Sequence, residues 1–143
     1  MSKTAKKQFV SPNDVETLVL DWGTLKWLSS PRVTGAQRFT TGVAEIQAGK
    51  RHAPHSHPGI EEIIYVVRGA GDQTVRKLAQ SVRAGDLVHV PPGVEHSTIN
   101  TGDETLTLLV VYAPPGPEET FRNMPGCRIV PPRRGRSEGH SPS

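Results

Sequence analysis

The chain has 143 residues, which is enough for one domain with a single hydrophobic core. Apolar residues make up 34% of it and its mean hydropathy is −0.43, so no stretch is long enough to span a bilayer. The formal net charge is +3, but residues 11–112 carry nine Lys or Arg against eleven Asp or Glu, so the excess lies at the two ends. A nucleic-acid-binding face needs positive charge clustered on the folded domain, so neither nucleic acid nor a membrane is an expected partner.

The cysteine content and the amino terminus bear on the compartment. Cys127 is the only cysteine, which excludes an internal disulfide framework and makes the cytoplasm the expected compartment. We expect its thiol to be a bystander. Residues 1–10 are basic but lack the apolar segment of a secretory signal. Fourteen glycines and thirteen prolines favour many turns and few long helices.

The first part of the chain predicts short strands after a flexible leader at residues 1–12. Residues 15–29 read as two strands that meet at Trp22 and Gly23. Residues 39–49 alternate apolar and polar side chains and end at a glycine, which predicts one strand with a buried face.

The central part continues with strands at intervals of about ten residues. Residues 62–69 form a strand that is apolar on both faces, residues 71–86 a polar hairpin, and residues 87–93 a strand ended by prolines. Residues 96–113 predict a second hairpin, turned at 101–104. This spacing is typical of an all-β antiparallel sandwich or barrel. A strand that is apolar on both faces needs a cover, either the C-terminal arm or a second subunit.

The composition changes after residue 112, since residues 113–143 hold seven of the thirteen prolines. We expect residues 113–130 to form an arm packed on the barrel, with a helical turn within 117–124. Residues 131–143 lack apolar anchors and are expected to be disordered. The prediction is therefore one domain over residues 13–130, flanked by a leader and a tail.

Histidines and carboxylates are concentrated just before the apolar strand. His55 and His57 are two residues apart, which on an extended strand places both imidazoles on one face, roughly 7 Å apart at Cα. Two neutral imidazoles that converge are a natural start to a divalent-metal site. Glu61 and Glu62 are both candidate carboxylate ligands, because the Pro-Gly pair at 58–59 resets the strand register.

A second block with related chemistry spans residues 85–100. Pro91 and Gly93 predict a sharp reversal, after which His96 opens the next strand in a direction set by that turn. His89, on the preceding strand, is expected to pack with a hydrogen-bonded ring.

Together the two blocks resemble the paired motifs of the cupin superfamily. The first motif is matched, with five, one, four and six residues between successive positions, by Gly49, His55, His57, Glu62 and Gly69. The second is matched, with five, one, two and three residues between positions, by Gly85, Pro91, Gly93, His96 and Asn100. The resemblance covers about residues 40–112.

The resemblance implies a double-sheet jelly-roll barrel of about six to eight strands, usually dimeric, with one divalent metal ion per chain at its centre. Within this all-β antiparallel fold the N-terminal strands form an extension and the proline-rich segment an arm. The glycines, Pro91 and Asn100 would serve turns and turn-side hydrogen bonds, and the step of six residues to Gly69 selects Glu62 over Glu61. The implied metal ligands are His55, His57, Glu62 and His96.

Five further side chains are weaker candidates. Glu61 could act as a general base, and Tyr65 could contribute to catalysis, although an aromatic at such a position is more often a core or interface residue. Arg51, His52 and Gln47 could bind substrate. On a regular strand His52 has the opposite parity to His55, which predicts a position at the rim.

Mixed nitrogen and oxygen ligands suit Mn²⁺, Fe²⁺, Co²⁺, Ni²⁺ or Zn²⁺, and the donor types do not separate these ions. Mn²⁺ or Fe²⁺ is the expected ion, with Zn²⁺, Ni²⁺ or Co²⁺ as alternatives. The expected function is that of a metal-dependent enzyme acting on a small oxygen-rich metabolite. The reaction would be that of a dioxygenase, or of an isomerase, lyase or decarboxylase that uses the ion as a Lewis acid. The alternative is a non-catalytic module that binds a small molecule or the metal. The expected partners are the small-molecule ligand and a second copy in a homodimer.

Overall fold

The computed structural model describes residues 6–133, which form eleven strands and one short α-helix. A single 3-10 turn, Pro12–Asp14, precedes the first strand. Within this part of the chain no helix is long and apolar enough to cross a membrane. The elements are β1 Thr17–Leu20, β2 Gly23–Ser29, β3 Thr40–Ile46, β4 Arg51–His55, β5 Glu61–Arg68, β6 Ala70–Val75, β7 Leu78–Arg83, β8 Leu87–Val90, β9 His96–Ile99, β10 Leu106–Ala113, α1 Pro117–Arg122 and β11 Arg128–Val130.

The strands form two antiparallel sheets that face each other. The larger sheet has the order β11-β1-β2-β3-β10-β5-β8, and the smaller one has the order β4-β9-β6-β7. Consecutive strands change sheet repeatedly, which is the topology of a jelly roll. The predicted all-β double-sheet architecture is confirmed.

The core follows from the alternation of apolar residues along the strands of the larger sheet. In β10, Leu106, Leu108, Val110 and Tyr112 are buried while the residues between them are only half-buried. Each fully buried aliphatic side chain contributes about 1.5–3 kcal/mol relative to an exposed one. Leu108, Val110 and Tyr112 of this strand also line the cavity that contains His55, Glu62 and His96.

The four glycines of the two motifs all have positive φ, a backbone region that side chains disfavour. The angles are 78° at Gly49, 95° at Gly69, 96° at Gly85 and 74° at Gly93. Gly69 is also constrained by space, because a Cβ there would lie 2.8 Å from the backbone oxygen of Thr105. The motif glycines are thus required by turn geometry, as the sequence predicted.

The hairpin predicted for residues 96–113 is wrong. Its first arm, β9, pairs with β4 and β6 in the smaller sheet, and its second arm, β10, pairs with β3 and β5 in the larger sheet. Asn100 stabilises the segment in which the chain crosses from β9 in one sheet to β10 in the other. Its Nδ2 donates to the carbonyl oxygens of Ile46 and Glu104, each at 2.8 Å, and its Oδ1 accepts from Gly102 N at 2.9 Å. The turn chemistry at 101–104 therefore joins two sheets and not two paired strands. The polar hairpin predicted for 71–86 is confirmed as β6 and β7.

The C-terminal arm packs on the domain as predicted, but not on the outer face of β5. Its helical turn is α1, and its last strand, β11, pairs with β1 at the edge of the larger sheet farthest from β5 and β8. Within the described residues the arm therefore does not cover the outer face of β5.

The two ends of the chain are described only in part. Residues 6–12 run beside the loop after β2, where Lys7 N donates to the carbonyl of Val33 at 3.2 Å. The predicted flexible leader and disordered tail lie partly outside the described residues, at 1–5 and 134–143, and stay predictions.

Candidate metal centre

Four side chains from both sheets and one loop converge between the sheets. His55 and His96 are directly paired across β4 and β9, Glu62 faces them from β5, and His57 lies in the loop after β4. One donor atom from each of the four residues lies within 4.8 Å of the other three. His57 is therefore not on the strand, although the sequence suggested that it was. Its ring nevertheless lies beside that of His55, with the two centroids 4.9 Å apart.

The donor set fits a divalent ion. Nitrogen and oxygen donors lie about 2.0–2.2 Å from such an ion, so two of them on one ion are at most about 4.4 Å apart. The cluster needs to contract by only a few tenths of an ångström. His57 Nε2, Glu62 Oε1 and His96 Nε2 are buried without a hydrogen-bond partner, although the last two lie 2.9 Å apart. Buried polar atoms left without partners are costly, and a cation between them satisfies all three.

The tautomers of two histidines are fixed by backbone carbonyls. His55 Nδ1 donates to the Ala53 oxygen at 2.7 Å, and His96 Nδ1 donates to the Val94 oxygen at 2.9 Å. With the proton held on Nδ1, the Nε2 lone pair of a neutral ring is free to coordinate. Orientation of this kind is what supports metal-ligating histidines generally.

One turn positions two of the four side chains. The reversal begins at Pro91, whose carbonyl accepts from Val94 N at 3.2 Å. Within it, Gly93 N donates to the carbonyl of His57 at 3.3 Å, while the Val94 carbonyl orients the ring of His96. The Pro-Pro-Gly sequence of the second motif thus aligns ligands from both motifs.

The electrostatics of the cluster favour ligation by neutral imidazoles. Burial lowers the pKa of His55 to about 4, against the opposing effect of its backbone hydrogen bond to Ala53. Burial, helped by the neighbouring His96, lowers the pKa of His57 to about 4 as well. Both rings are therefore neutral at pH 7, the form that binds metal ions.

Glu62 and His96 form a buried pair, and for each of them burial and the charged neighbour shift the pKa in opposite directions. Burial raises the pKa of the Glu62 carboxyl despite the adjacent His96. Burial lowers the pKa of His96, but the close carboxylate of Glu62 outweighs it and raises that pKa overall. Tyr112, opposite Glu62 in the β5–β10 register, interacts with this carboxylate, and burial raises its own pKa well above its usual range. Tyr112 was missed from the sequence, although the pairing of its strand with β5 would have revealed it.

Comparison with known proteins agrees with this geometry. The profile of the Cupin domain family matches residues 42–112, the span that holds all four donor side chains. Protein SchB of Streptomyces halstedii is 33% identical over 95 residues, which cover 66% of this chain and 69% of that protein. The chain is a cupin.

Further relatives of this cupin differ in sequence identity and in the share of each chain that is aligned. Polyketide synthase CurC of Streptomyces cyaneus is 30% identical over 99 residues, which cover 69% of this chain and 64% of that protein. The RmlC-like cupin of Shewanella frigidimarina superimposes with a TM-score of 0.69 at 19% identity, covering 80% of this chain and 96% of that one, and shows the fold alone. Oxalate decarboxylase of Lactobacillus farciminis, in its formate complex, has a TM-score of 0.65 and 32% identity, covering 73% of this chain and 32% of that one.

His52 lies inside this cupin and not at its rim. The pairing of β4 with β9 shifts register between His52 and His55, so a bulge in β4 places both rings on the inner face. The His52 ring stacks on that of His55 with centroids 3.9 Å apart. The parity argument made from the sequence was wrong because it assumed a regular strand.

The other weak candidates lie away from the four donor atoms. Glu61 is half-exposed on the opposite face of β5 from Glu62, where its Oε2 lies within hydrogen-bond distance of Nε2 of the exposed His89. Tyr65 is exposed on that same outer face of β5. Gln47 is exposed in the turn after β3, and Arg51 is exposed on β4. The structure therefore brings none of these side chains to the cluster.

The space beside the donor atoms is small. The metal cavity, which the cluster shares with buried apolar side chains, has a free volume of about 20 Å³, enough for one water-sized group. Trp22 and Phe121 close it, the first from the turn before β2 and the second from α1. Neither was assigned to the site from the sequence, because both are brought there by chain segments outside the two motifs.

Proposed function

We propose that this cupin is a metal-dependent enzyme that acts on a small oxygen-rich metabolite. The observation that carries the proposal is the convergence of three imidazoles and one carboxylate within 4.8 Å, with three of their buried atoms lacking partners. Mn²⁺ or Fe²⁺ is the favoured ion, with Zn²⁺, Ni²⁺ or Co²⁺ as substitutes. The single cysteine, Cys127, makes the cytoplasm the proposed compartment.

The four side chains would hold one ion per chain. Three neutral histidines and the Glu62 carboxylate leave a net charge near +1 on a divalent ion, which attracts anionic oxygen ligands. The ion supplies Lewis acidity towards a carbonyl or enolate oxygen. The hydrogen bonds of His55 and His96 to the backbone keep their rings in place while a ligand binds.

The names of two relatives are compatible with such chemistry. One is named a polyketide synthase and another an oxalate decarboxylase, and polyketides and oxalate are both oxygen-rich compounds. Four protein ligands and a bidentate substrate already make six donors on one ion. This count favours isomerase, lyase or decarboxylase chemistry over a dioxygenase reaction, which would need a further position for O₂.

Oxygen consumption tests the reaction class. Protein loaded with Mn²⁺ or Fe²⁺ is mixed with oxalate, acetylacetone or catechol, which represent an oxyacid, a diketone and a diol, while O₂ and substrate are measured together. We expect loss of at least one substrate without O₂ uptake, and no loss with the His55→Ala variant. Substrate loss matched by O₂ uptake would instead assign a dioxygenase.

The alternative is a non-catalytic cupin that binds a small molecule or only the metal. The small free volume of the metal cavity, about 20 Å³, favours a module that binds only the metal, because no small molecule fits beside the ion without movement of the wall. Binding of the three compounds to the loaded protein without any turnover would support the alternative over the enzyme.

We also propose that a second copy covers the outer face of β5 and β8. Tyr65 and Leu87 are cross-strand neighbours there, and Val67 extends the same exposed apolar surface. Light scattering should give a mass near twice 15.5 kDa for the wild type and near 15.5 kDa for Leu87→Lys. The control is Phe9→Lys, also an exposed apolar residue but in the segment beside the loop after β2, and this variant should stay dimeric. A monomeric wild type would contradict the proposal.

A further inference from the structure

A groove outside the barrel lies next to the metal cavity. This outer groove has a volume of about 460 Å³ and runs between the β1–β2 turn, β4 and the segment after α1. Its walls include Asp21, Trp22, Arg51, His52 and Met124. The volume is within the range of sites that bind small molecules, whereas the metal cavity holds only one water-sized group.

The groove and the metal cavity share a wall that is one ring thick. Trp22 and His52 line both spaces. The His52 ring is stacked between two others, with centroids 4.9 Å from Trp22 and 3.9 Å from His55, a candidate ligand. A molecule in the groove is therefore separated from the centre by the His52 side chain.

His52 is the least restrained part of this wall. Among residues 6–133 its ring nitrogens form no hydrogen bond, and the ring is held by stacking alone. Trp22, the other ring of this wall, and Phe121, which closes the metal cavity but does not line the groove, are almost fully buried. Phe121 is further restrained because the next residue, Arg122, is bound to Glu16 with Nε and Oε2 2.7 Å apart. Of the three rings, His52 is the one that a ligand can displace.

The chemistry of the groove suits a flat molecule that carries oxygen. The exposed Met124 offers a thioether, and Trp22 contributes the small part of its ring that is not buried; both groups pack well against rings. Arg51 forms no ion pair within the described part of the chain and is available to a negative charge. Asp21 balances Arg51, so the excess positive charge that attracts an anion comes from the loaded centre.

We propose that the outer groove is the ligand-binding site of this cupin, that it takes a planar oxygen-bearing anion, and that His52 is the movable side chain between the groove and the ion. The inference rests on the proposed metal-dependent function. The ring of the ligand lies against Trp22 and Met124, its charge near Arg51, and its oxygen atoms face the donor cluster.

Benzohydroxamate, a planar chelating anion, is a suitable probe for the Co²⁺-loaded protein, because the visible absorption of Co²⁺ changes when a ligand binds. In stopped-flow mixing we expect His52→Ala to accelerate association about tenfold, since the displaceable ring is gone. His52→Leu refills the wall and should keep the rate near that of the wild type. Acetohydroxamate has the same chelating group without the ring, and it should bind the wild type several-fold more weakly.

Arg51→Gln tests the charge within the groove. We expect it to weaken benzohydroxamate binding about threefold, the size of an exposed charge interaction. Lys50→Gln removes the neighbouring exposed charge, which does not line the groove, and should leave the affinity unchanged. Cobalt content, measured in parallel, should be the same in all these variants.

The groove proposal is overturned if His52→Ala leaves the association rate unchanged, if both hydroxamates bind equally, or if the two charge variants behave alike. Acceleration by Phe121→Ala in place of His52→Ala would move the access route to α1 and also overturn it. In each of these cases the protein still holds Co²⁺, so the proposed metal-dependent function survives. A wild type that takes up no Co²⁺ overturns both proposals.

Discussion

Stoichiometric divalent metal should be lost when His96 is replaced by alanine, while the chain stays folded. The same result is expected for His55→Ala. Each change removes one of four donors and the backbone contact that orients it, so affinity should fall at least about 100-fold, the upper end of the effect of removing a supporting residue. Elemental analysis after metal loading and desalting measures the effect, and circular dichroism checks the fold.

The matched control for these variants is His89→Ala. His89 is an exposed histidine that pairs with Glu61 on the outer face of the larger sheet, so its loss should leave metal content unchanged. If both His55→Ala and His96→Ala retained one ion per chain, the assignment of the metal centre would be wrong.

The second large effect is on stability. Asn100 is almost fully buried, and replacing it with alanine leaves the carbonyls of Ile46 and Glu104 and the N–H of Gly102 without their partner. Of these three groups only the Ile46 carbonyl is fully buried, while Glu104 and Gly102 are exposed residues whose groups water can reach. A buried group left unsatisfied costs about 1–3 kcal/mol, so we expect Asn100→Ala to lower the free energy of unfolding by about 2–3 kcal/mol. Urea denaturation followed by circular dichroism measures it.

Two further variants make this prediction specific. Asn100→Asp keeps an acceptor for Gly102 but cannot donate to either carbonyl, so its loss of stability should be comparable. Asn123→Ala, at an exposed position, should change the free energy of unfolding by less than about 0.5 kcal/mol. A loss below about 1 kcal/mol for Asn100→Ala would show that this side chain does not hold the crossing between the sheets.

The sequence was sufficient for the parts of the site that depend on local spacing. The glycines of the motifs mark positions of positive φ, and the Pro-Pro-Gly turn fixes the direction of His96. The choice of Glu62 over Glu61 came from the resemblance to the cupin motifs, because the residues alone left both carboxylates open. The existence of β3 also follows from apolar alternation set by one buried face, although the predicted span 39–49 is longer than the observed Thr40–Ile46.

The features that could not be predicted from the sequence depend on an irregular strand or on contacts between distant parts of the chain. The bulge in β4 moves His52 from the predicted rim to the inner face, and its only signal in the sequence is Pro54, a residue that also fits a regular edge strand. Residues 96–113 have the pattern of a hairpin, but their two arms pair in different sheets because more distant strands compete for them. Phe121 reaches the cavity through the arm, which periodicity does not place.

The origin of the four donor side chains has a mechanical consequence. Glu62 belongs to the larger sheet, whereas His55 and His96 belong to the smaller one. An ion at this point is a cross-link between the two layers of the sandwich, and the layers cannot separate without breaking its coordination. Occupancy and resistance to opening are therefore thermodynamically linked, so that whatever strengthens the one strengthens the other.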